Sequence, residues 1–351
     1  MMPSEKTQSF TVVIPARNAA KTLTACLEAV FAANPAPQEV IVVNDASGDD
    51  TAKIAARYPC RILDVDLRQG PMQPRMAAVS HARYPVLVFL DADVQIFPDT
   101  FAKILKHFQD PRAHAVTGIL DPAAGRGFFS RYKNAYMHFI FSRQPRDASF
   151  LYGSIWAIRK TDFIFFEPIT QPWGSLVSDS EMGLELKRRG KQIILDHDLA
   201  VRHLKEYSFG SLLRNDFKIP FLFAVMFLKY QGRLSWIAGR SFSHASLWQV
   251  SGNASVALAC GCGILVLNGA ESVFGWLAVF PLFILYAVWF PFLRRIQKEH
   301  SGRFLIQTVL FLPLDALVMF GGMAAGFLYG FFKFSQAAHA AIFQKGVMPH
   351  A

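Results

Sequence analysis

Between Ser246 and Phe292 the chain carries a single charged side chain, Glu271. A water-soluble domain has no surface of that composition, so these residues must face lipid or lie buried. Leu247 to Leu267 and Val273 to Phe292 are each about 20 residues long, enough as helices to cross roughly 30 Å of hydrocarbon. Asn268-Gly269-Ala270-Glu271 reads as the turn between them. A third apolar run from about Phe304 to Phe332 holds one charge, Asp315, shortly after Pro313. An intramembrane carboxylate is costly, so Asp315 either meets a lipid-linked ligand or pairs with a helix neighbour. Phe217 to Tyr230 is apolar but too short to span, and Lys218 and Lys229 bracket it. It reads as an interfacial helix lying against the bilayer, the alternative being a buried helix of the preceding domain. Arg233 and Arg240 precede the first span, and Arg294, Arg295, Lys298 and Arg303 follow the second. By the positive-inside bias, the N-terminal half and the Arg294 to Arg303 loop are cytosolic. The tail from Lys333 to Ala351 is then outside, or cytosolic if the third segment is re-entrant at Pro313. The net charge of +10 suits anionic headgroups better than nucleic acid, because the basic residues are not gathered on an aromatic platform.

The half before these runs has a different grammar. Phe10 to Pro15, Val40 to Val43, Cys60 to Val65 and Val86 to Leu90 read as strands, and helical spacing appears between them. Asn18 is placed to cap a helix carrying Leu23, Leu27, Val30 and Phe31; two further helices run from Thr51 to about Tyr58 and from about Met72 to Ala82. Strands alternating with helices imply a mostly parallel sheet, and near-continuous Val, Ile and Leu runs fit strands covered on both faces. Ligands of such sheets bind outside the carboxyl ends of the strands. There the last strand runs into Asp91-Ala92-Asp93. Extended alternation would put both carboxylates on one side, a donor set suited to Mg²⁺ or Mn²⁺ with substrate phosphates completing the shell. A solvated turn is the plainer reading. No Gly-x-Gly-x-x-Gly or Walker loop is present, which disfavours dinucleotide oxidoreductases and P-loop ATPases.

Three blocks in order, Ile14-Pro15-Ala16-Arg17-Asn18, Val43 to Asp50 (Val-Asn-Asp-Ala-Ser-Gly-Asp-Asp) and Leu90-Asp91-Ala92-Asp93, resemble the opening of glycosyltransferase family 2, inverting enzymes with a GT-A fold. Val177 to Gly190 resembles the family's catalytic segment, with Ser178 where Glu is commoner and Glu185 where Arg is commoner. Tyr152-Gly153-Ser154 through Arg159 resembles its acceptor-side strand. The resemblance covers roughly residues 8 to 215. It implies a Rossmann-like, mostly parallel sheet with helices on both faces, followed here by a C-terminal α-helical transmembrane region. It implies Asp179 as catalytic base, and donor contacts from Pro15, Ala16, Arg17, Asn18, Asn44, Asp45, Arg75 and Asp91. It also implies Mg²⁺ or Mn²⁺ at Asp91 and Asp93, with His203 at a position that can join the metal or the diphosphate. From the residues alone, Asp179 reads equally as a helix cap, Asn44 and Asp45 as turn formers, and His203 as a structural histidine. His197 has weaker claims. Pro74-Arg75-Met76-Ala77-Ala78 departs from the family's Ala-Arg-Asn-x-Gly run, which implies a differently shaped donor pocket. The chain lacks the Gln-x-x-Arg-Trp of processive members, which implies transfer of one sugar.

The expected organisation is a catalytic domain over 1–215, an interfacial helix and linker over 216–245, and about three spans with a tail over 246–351. The expected partners are a nucleotide-sugar donor, a lipid or lipid-linked acceptor and the bilayer, with no nucleic acid. Sugar nucleotidyltransfer is a competing enzyme class, and a catalytically silent membrane scaffold or carrier is the non-enzymatic one. Cys26, Cys60, Cys260 and Cys262 show no metal-type spacing and read as small apolar residues. Met1 to Ser9 is polar without a signal-peptide core, consistent with a cytosolic catalytic domain.

Overall fold

A computed structural model of the chain describes residues 9–230, 241–242, 245–268 and 273–345. Most of the polar N-terminal segment, Arg233, Arg240, the turn residues Gly269 to Glu271 and the end of the tail lie outside the described residues. The described contacts divide the chain after Ser208, earlier than the expected boundary at 215.

The first unit is built on eight strands: β1 (Phe10–Ala16), β2 (Glu39–Asp45), β3 (Arg61–Val65), β4 (Val86–Leu90), β5 (Val94–Gln95), β6 (Ala113–Leu120), β7 (Ile155–Arg159) and β8 (Gln192–His203). Their order is β3-β2-β1-β4-β7-β6-β8-β5. The β3-β2-β1-β4 half is parallel. Strand β7 inserts antiparallel between β4 and β6, and β5 folds back antiparallel on β8. The sheet is therefore mixed, with the carboxyl ends of β1, β2, β4, β6 and β8 gathered at one edge.

Alternation sorts the strands' side chains into two layers. Val12, Ile14, Val88 and Leu90 pack under α1 (Leu23–Ala32) and α4 (Thr100–His107), against Leu23, Leu27, Phe101 and Ile104. Val13, Ile41, Leu87 and Phe89 pack on the opposite face under α3 (Met72–Val79) and α6 (Ser178–Arg188), against Met72, Val79, Met182 and Leu186. Both faces are covered, as the apolar runs required. A short α2 (Thr51–Ala55) follows β2, and α5 (Gly127–Phe141) follows β6. The expected cap at Asn18 does not form. Asn18 sits at φ 51° and helix α1 starts at Leu23, because the Asn18 side chain is drawn to the next loop instead.

The second unit holds α7 (Phe209–Lys229), the short β9 (Ser241–Phe242) and β10 (Ala245–Ser246), α8 (Leu247–Leu267), α9 (Val273–Glu299) and α10 (Gly302–Lys345). Helices α8, α9 and α10 are each long and apolar enough to cross a membrane. Helices α9 and α10 run past the expected ends of the second and third spans. Helix α7 starts eight residues before the predicted interfacial segment and packs along α10, described below. Asp315 is 1% exposed and so does not face lipid.

Candidate active site

The centre of the site is a guanidinium. Arg75, fully buried on α3, donates from Nη1 to Asp179 Oδ1 and from Nη2 to Asp91 Oδ1 at 2.7 Å and to the Gly153 carbonyl at 2.9 Å. One side chain thus joins the end of β4, the start of β7 and the first turn of α6. A buried charge needs this degree of pairing to be tolerated. The Trp156 indole N–H on β7 donates to the same Asp179 Oδ1 at 3.1 Å, and Trp156 is itself stacked on Phe89 at a ring separation of 4.1 Å. Both donors converge on Oδ1 and leave Oδ2 facing Gly153, where a Cβ would lie 2.7 Å from Asp179 Oδ2 and 4.0 Å from Asp91 Oδ2. Gly153 thus lets the Asp179 carboxylate approach the backbone more closely than a side chain there would allow.

Asp179 therefore does not cap its helix. The N-cap position is Val177, and the Asp179 carboxylate points at Arg75 and Trp156. Burial raises its pKa above the ordinary carboxylate value, against the opposing pull of Arg75 and the Trp156 hydrogen bond. Burial raises Asp91 as well, to about 7; Arg75 opposes this, and the neighbouring charges of Asp93 and Asp179 add to it.

The Asp91-Ala92-Asp93 segment departs from the extended geometry expected of it. Strand β4 ends at Leu90, the Val94 N–H returns to the Asp91 carbonyl at 3.1 Å, and Val94 pairs with His203. The tie to β8 bends the segment into a tight turn, so the two carboxylates take different partners. Asp91 goes to Arg75, and Asp93 lies 3.6 Å from His203 Nε2. Among the described residues no group of three or more His, Cys, Asp and Glu converges as a metal site, so Asp91, Asp93 and His203 do not form the single cluster expected of them. Arg75 has claimed Asp91. What remains is the Asp93–His203 pair, in which burial lowers the pKa of His203 and so favours the neutral imidazole, against the opposing pull of Asp93. One carboxylate and one neutral imidazole fit a divalent ion that takes its other ligands from substrate phosphates and water.

The donor-side loops are knitted to one another. Asn18 Oδ1 accepts from the Gly48 amide at 2.9 Å, Ser47 Oγ accepts from the Asn18 amide at 3.1 Å, and Thr51 Oγ1 accepts from the Ala19 amide at 2.8 Å. These bonds fix Pro15 to Asn18 beside Asn44 to Asp50. Asp45 Oδ1 accepts from the Leu67 and Arg68 amides at 2.7 and 3.0 Å, and Asn44 Nδ2 donates to Asp64 at 2.8 Å. Asn44 therefore ties β2 to β3 and Asp45 holds the loop after β3; neither closes a turn of its own. His197 contacts the Gln144 carbonyl, away from the carboxylates. Trp156 was not among the expected site residues. The only sequence signal for it was a tryptophan on the strand that follows Gly153.

Residues 11–165 match the sequence model of the family described as glycosyl transferase family 2. That domain belongs to glycosyltransferase family 2. Relatives include the succinoglycan biosynthesis protein ExoO of Rhizobium meliloti, 29% identical over 33% of this chain and 34% of its own length. The 4,4'-diaponeurosporenoate glycosyltransferase of Staphylococcus aureus is 33% identical over 29% of this chain and 28% of its own. The chain thus spans about a third of the length of these relatives. A mannosyltransferase from Pyrobaculum calidifontis, solved with GDP-mannose and Mn²⁺, superimposes with a TM-score of 0.51 at 17% identity, over 92% of this chain and 87% of that one. The family 2 domain has the GT-A fold.

Proposed function

We propose that the protein is an inverting glycosyltransferase that moves one sugar from a nucleotide-diphosphate sugar to a lipid or lipid-linked acceptor. The observation that carries this reading is the buried Asp179 carboxylate, whose Oδ1 is held by Arg75 and Trp156 while its Oδ2 and Asp91 Oδ2 both lie within 4.0 Å of where a Gly153 Cβ would stand. With the acceptor hydroxyl against Oδ2 and the donor's anomeric carbon beyond it, this fixed base suits single displacement. Asp179 Oδ2 takes the hydroxyl proton, and Arg75 holds the carboxylate in place as it does so. Asp93 and His203 would hold a divalent ion, which would supply charge neutralisation for the departing diphosphate. The Mn²⁺ and GDP-mannose of the Pyrobaculum enzyme support a metal and a nucleotide-sugar. The 4,4'-diaponeurosporenoate named for the Staphylococcus relative, together with three apolar helices here, supports an acceptor at the membrane. The succinoglycan relative supports a role in building cell-envelope glycans. The catalytic domain is read as cytosolic, where nucleotide-sugars are made.

The test is Asp179→Asn, assayed with a panel of nucleotide-sugars on membranes followed by lipid extraction. Loss of the base should lower turnover by about two or more orders of magnitude with donor affinity unchanged. Full turnover in the variant would exclude Asp179 as base, and a wild type that turns over no nucleotide-sugar would favour the silent scaffold.

A further inference from the structure

Length and composition offer α8, α9 and α10 alike as spans, but their mutual contacts do not treat them alike. Helices α8 and α9 form an antiparallel hairpin: a Cβ on Gly252 would lie 2.8 Å from the Val288 side chain, and the Trp289 indole donates to Asn253 Oδ1 at 3.2 Å. Residues 252–253 and 288–289 therefore share one level. Were α10 to follow α9 as a third antiparallel span, Val309 would sit beside Phe292 and Met319 beside Leu282. Instead the Tyr286 hydroxyl donates to the Val309 carbonyl at 3.0 Å, and Asn253 Nδ2 contacts Met319 Sδ at 3.7 Å. Ten residues of α10 cover about 15 Å of helix, yet the contacts at its two ends differ by only about 4.5 Å in level along α9. The sense of that small change is also opposite to a third crossing, since Met319 lies nearer the end of the hairpin where α8 begins.

Burial agrees. In the first turns of α8, Gly252, Asn253, Ser255 and Val256 are all buried, whereas farther along Leu258, Ile264, Leu265 and Leu267 are 48 to 88% exposed. Helix α10 thus crosses the hairpin at one end, and in the far half of α8 Ala259 and Cys262 alone are buried among the described residues. Helix α7 runs with α10 in the same direction. A Cβ on Gly322 would overlap the Phe217 carbonyl, one on Gly326 would overlap the Phe221 carbonyl, and Gly330 faces Val225 and Leu228. If α10 crossed the bilayer between 304 and 332, this register would put Arg214 of α7 close to its midplane, where a charge is costly.

We infer that α7 and α10 form a two-helix platform lying in the plane of the membrane, within the leaflet that α8 enters, and that only the α8–α9 hairpin crosses. The partner of this surface is the lipid bilayer. Its apolar exposure on α10, at Ile306, Leu310 and Leu328, faces acyl chains, and the exposed Arg214 of α7 reaches the headgroups. The platform rests on the reading of α8–α9 as a membrane hairpin and is independent of the transferase chemistry.

Single cysteines at Leu258, Ile306 and Leu328, in a variant lacking the four native cysteines and reconstituted in phosphatidylcholine–phosphatidylglycerol vesicles, would carry spin labels for depth measurement against oxygen and a polar nickel reagent. Ile306 and Leu328 are about 33 Å apart along a helix, close to a full hydrocarbon thickness. The platform requires both labels at shallow depth in the same leaflet, with Leu258 well below them. Labels at Ile306 and Leu328 in opposite leaflets would overturn the inference while leaving the hairpin intact. A Leu258 label exposed to water would overturn the hairpin itself.

Discussion

The close approach at Gly153 sets the tolerance of the site at the residue scale. Gly153→Ala adds one methyl group 2.7 Å from Asp179 Oδ2. The carboxylate must swing, and displacement of a reacting group by about 1 Å costs on the order of 10²-fold in rate. Turnover should fall by that order with the melting temperature little changed, and donor binding measured by calorimetry should persist. Arg75 is the opposite case. Arg75→Met keeps the stem but leaves Asp91 and Asp179 without their shared cation, and removing one partner of a buried ion pair costs about 3–5 kcal/mol, readable by denaturant unfolding. The variant also has a pH signature. Burial already raises Asp179 above 3.8, so its contribution to stability is full below that value and is lost as pH rises through the folded pKa. Arg75 holds that pKa down. Its loss should move the acid limb of the kcat/KM profile to higher pH; an unmoved limb would show that Arg75 does not act on the base. Asp91, Asp93 and Asp179 were all legible in the sequence. Their pairing was not, because Arg75 and Asp179 are 104 positions apart and only the crossovers of the sheet bring them together.

At the scale of elements, the strands were the readable part, since runs such as Val40 to Val43 bury both faces and admit few other conformations. The turn at Asp91 to Asp93 was readable only as the alternative to an extended segment, because what decides it is the pairing of Val94 with His203 from the far end of the domain. Asp45 was expected at the donor and is found holding the Leu67 and Arg68 amides, a bond that no local pattern announces. Helix α7 shows the same limit from another side. Its apolar character suggested contact with lipid, but the glycines that determine its neighbour lie more than 100 positions later in α10. Gly326→Val makes that dependence measurable. The added side chain meets the Phe221 backbone, which cannot rotate aside, and overpacking of this kind costs about 1–3 kcal/mol. Thermal unfolding in detergent should shift down, whereas Gly261→Val on α8, where an added Cβ meets nothing within 4 Å, should not.

For the molecule as a whole, the division after Ser208 separates chemistry from anchorage. Every strand of the eight-stranded sheet, both apolar layers, and Arg75, Asp91, Asp93, Asp179 and His203 belong to the first unit. No strand of that sheet is borrowed from the helices, so a fragment ending at Ser208 retains its whole core and should fold in water with a cooperative melting transition. It should also bind nucleotide-sugar in the presence of Mn²⁺ with the affinity of the full chain. What the fragment loses is confinement. Under the proposed function the helices tether the site to the membrane that holds the acceptor, and tethering of this kind raises effective concentration enough to be worth about 10²–10⁴-fold. Transfer to an acceptor in vesicles should fall by that order, while the slow hydrolysis of donor by water, which needs no membrane, should be unchanged. Equal loss of both activities would mean that α7 to α10 shape the site itself. Full transfer by the fragment would mean that the helices do not supply the acceptor at all.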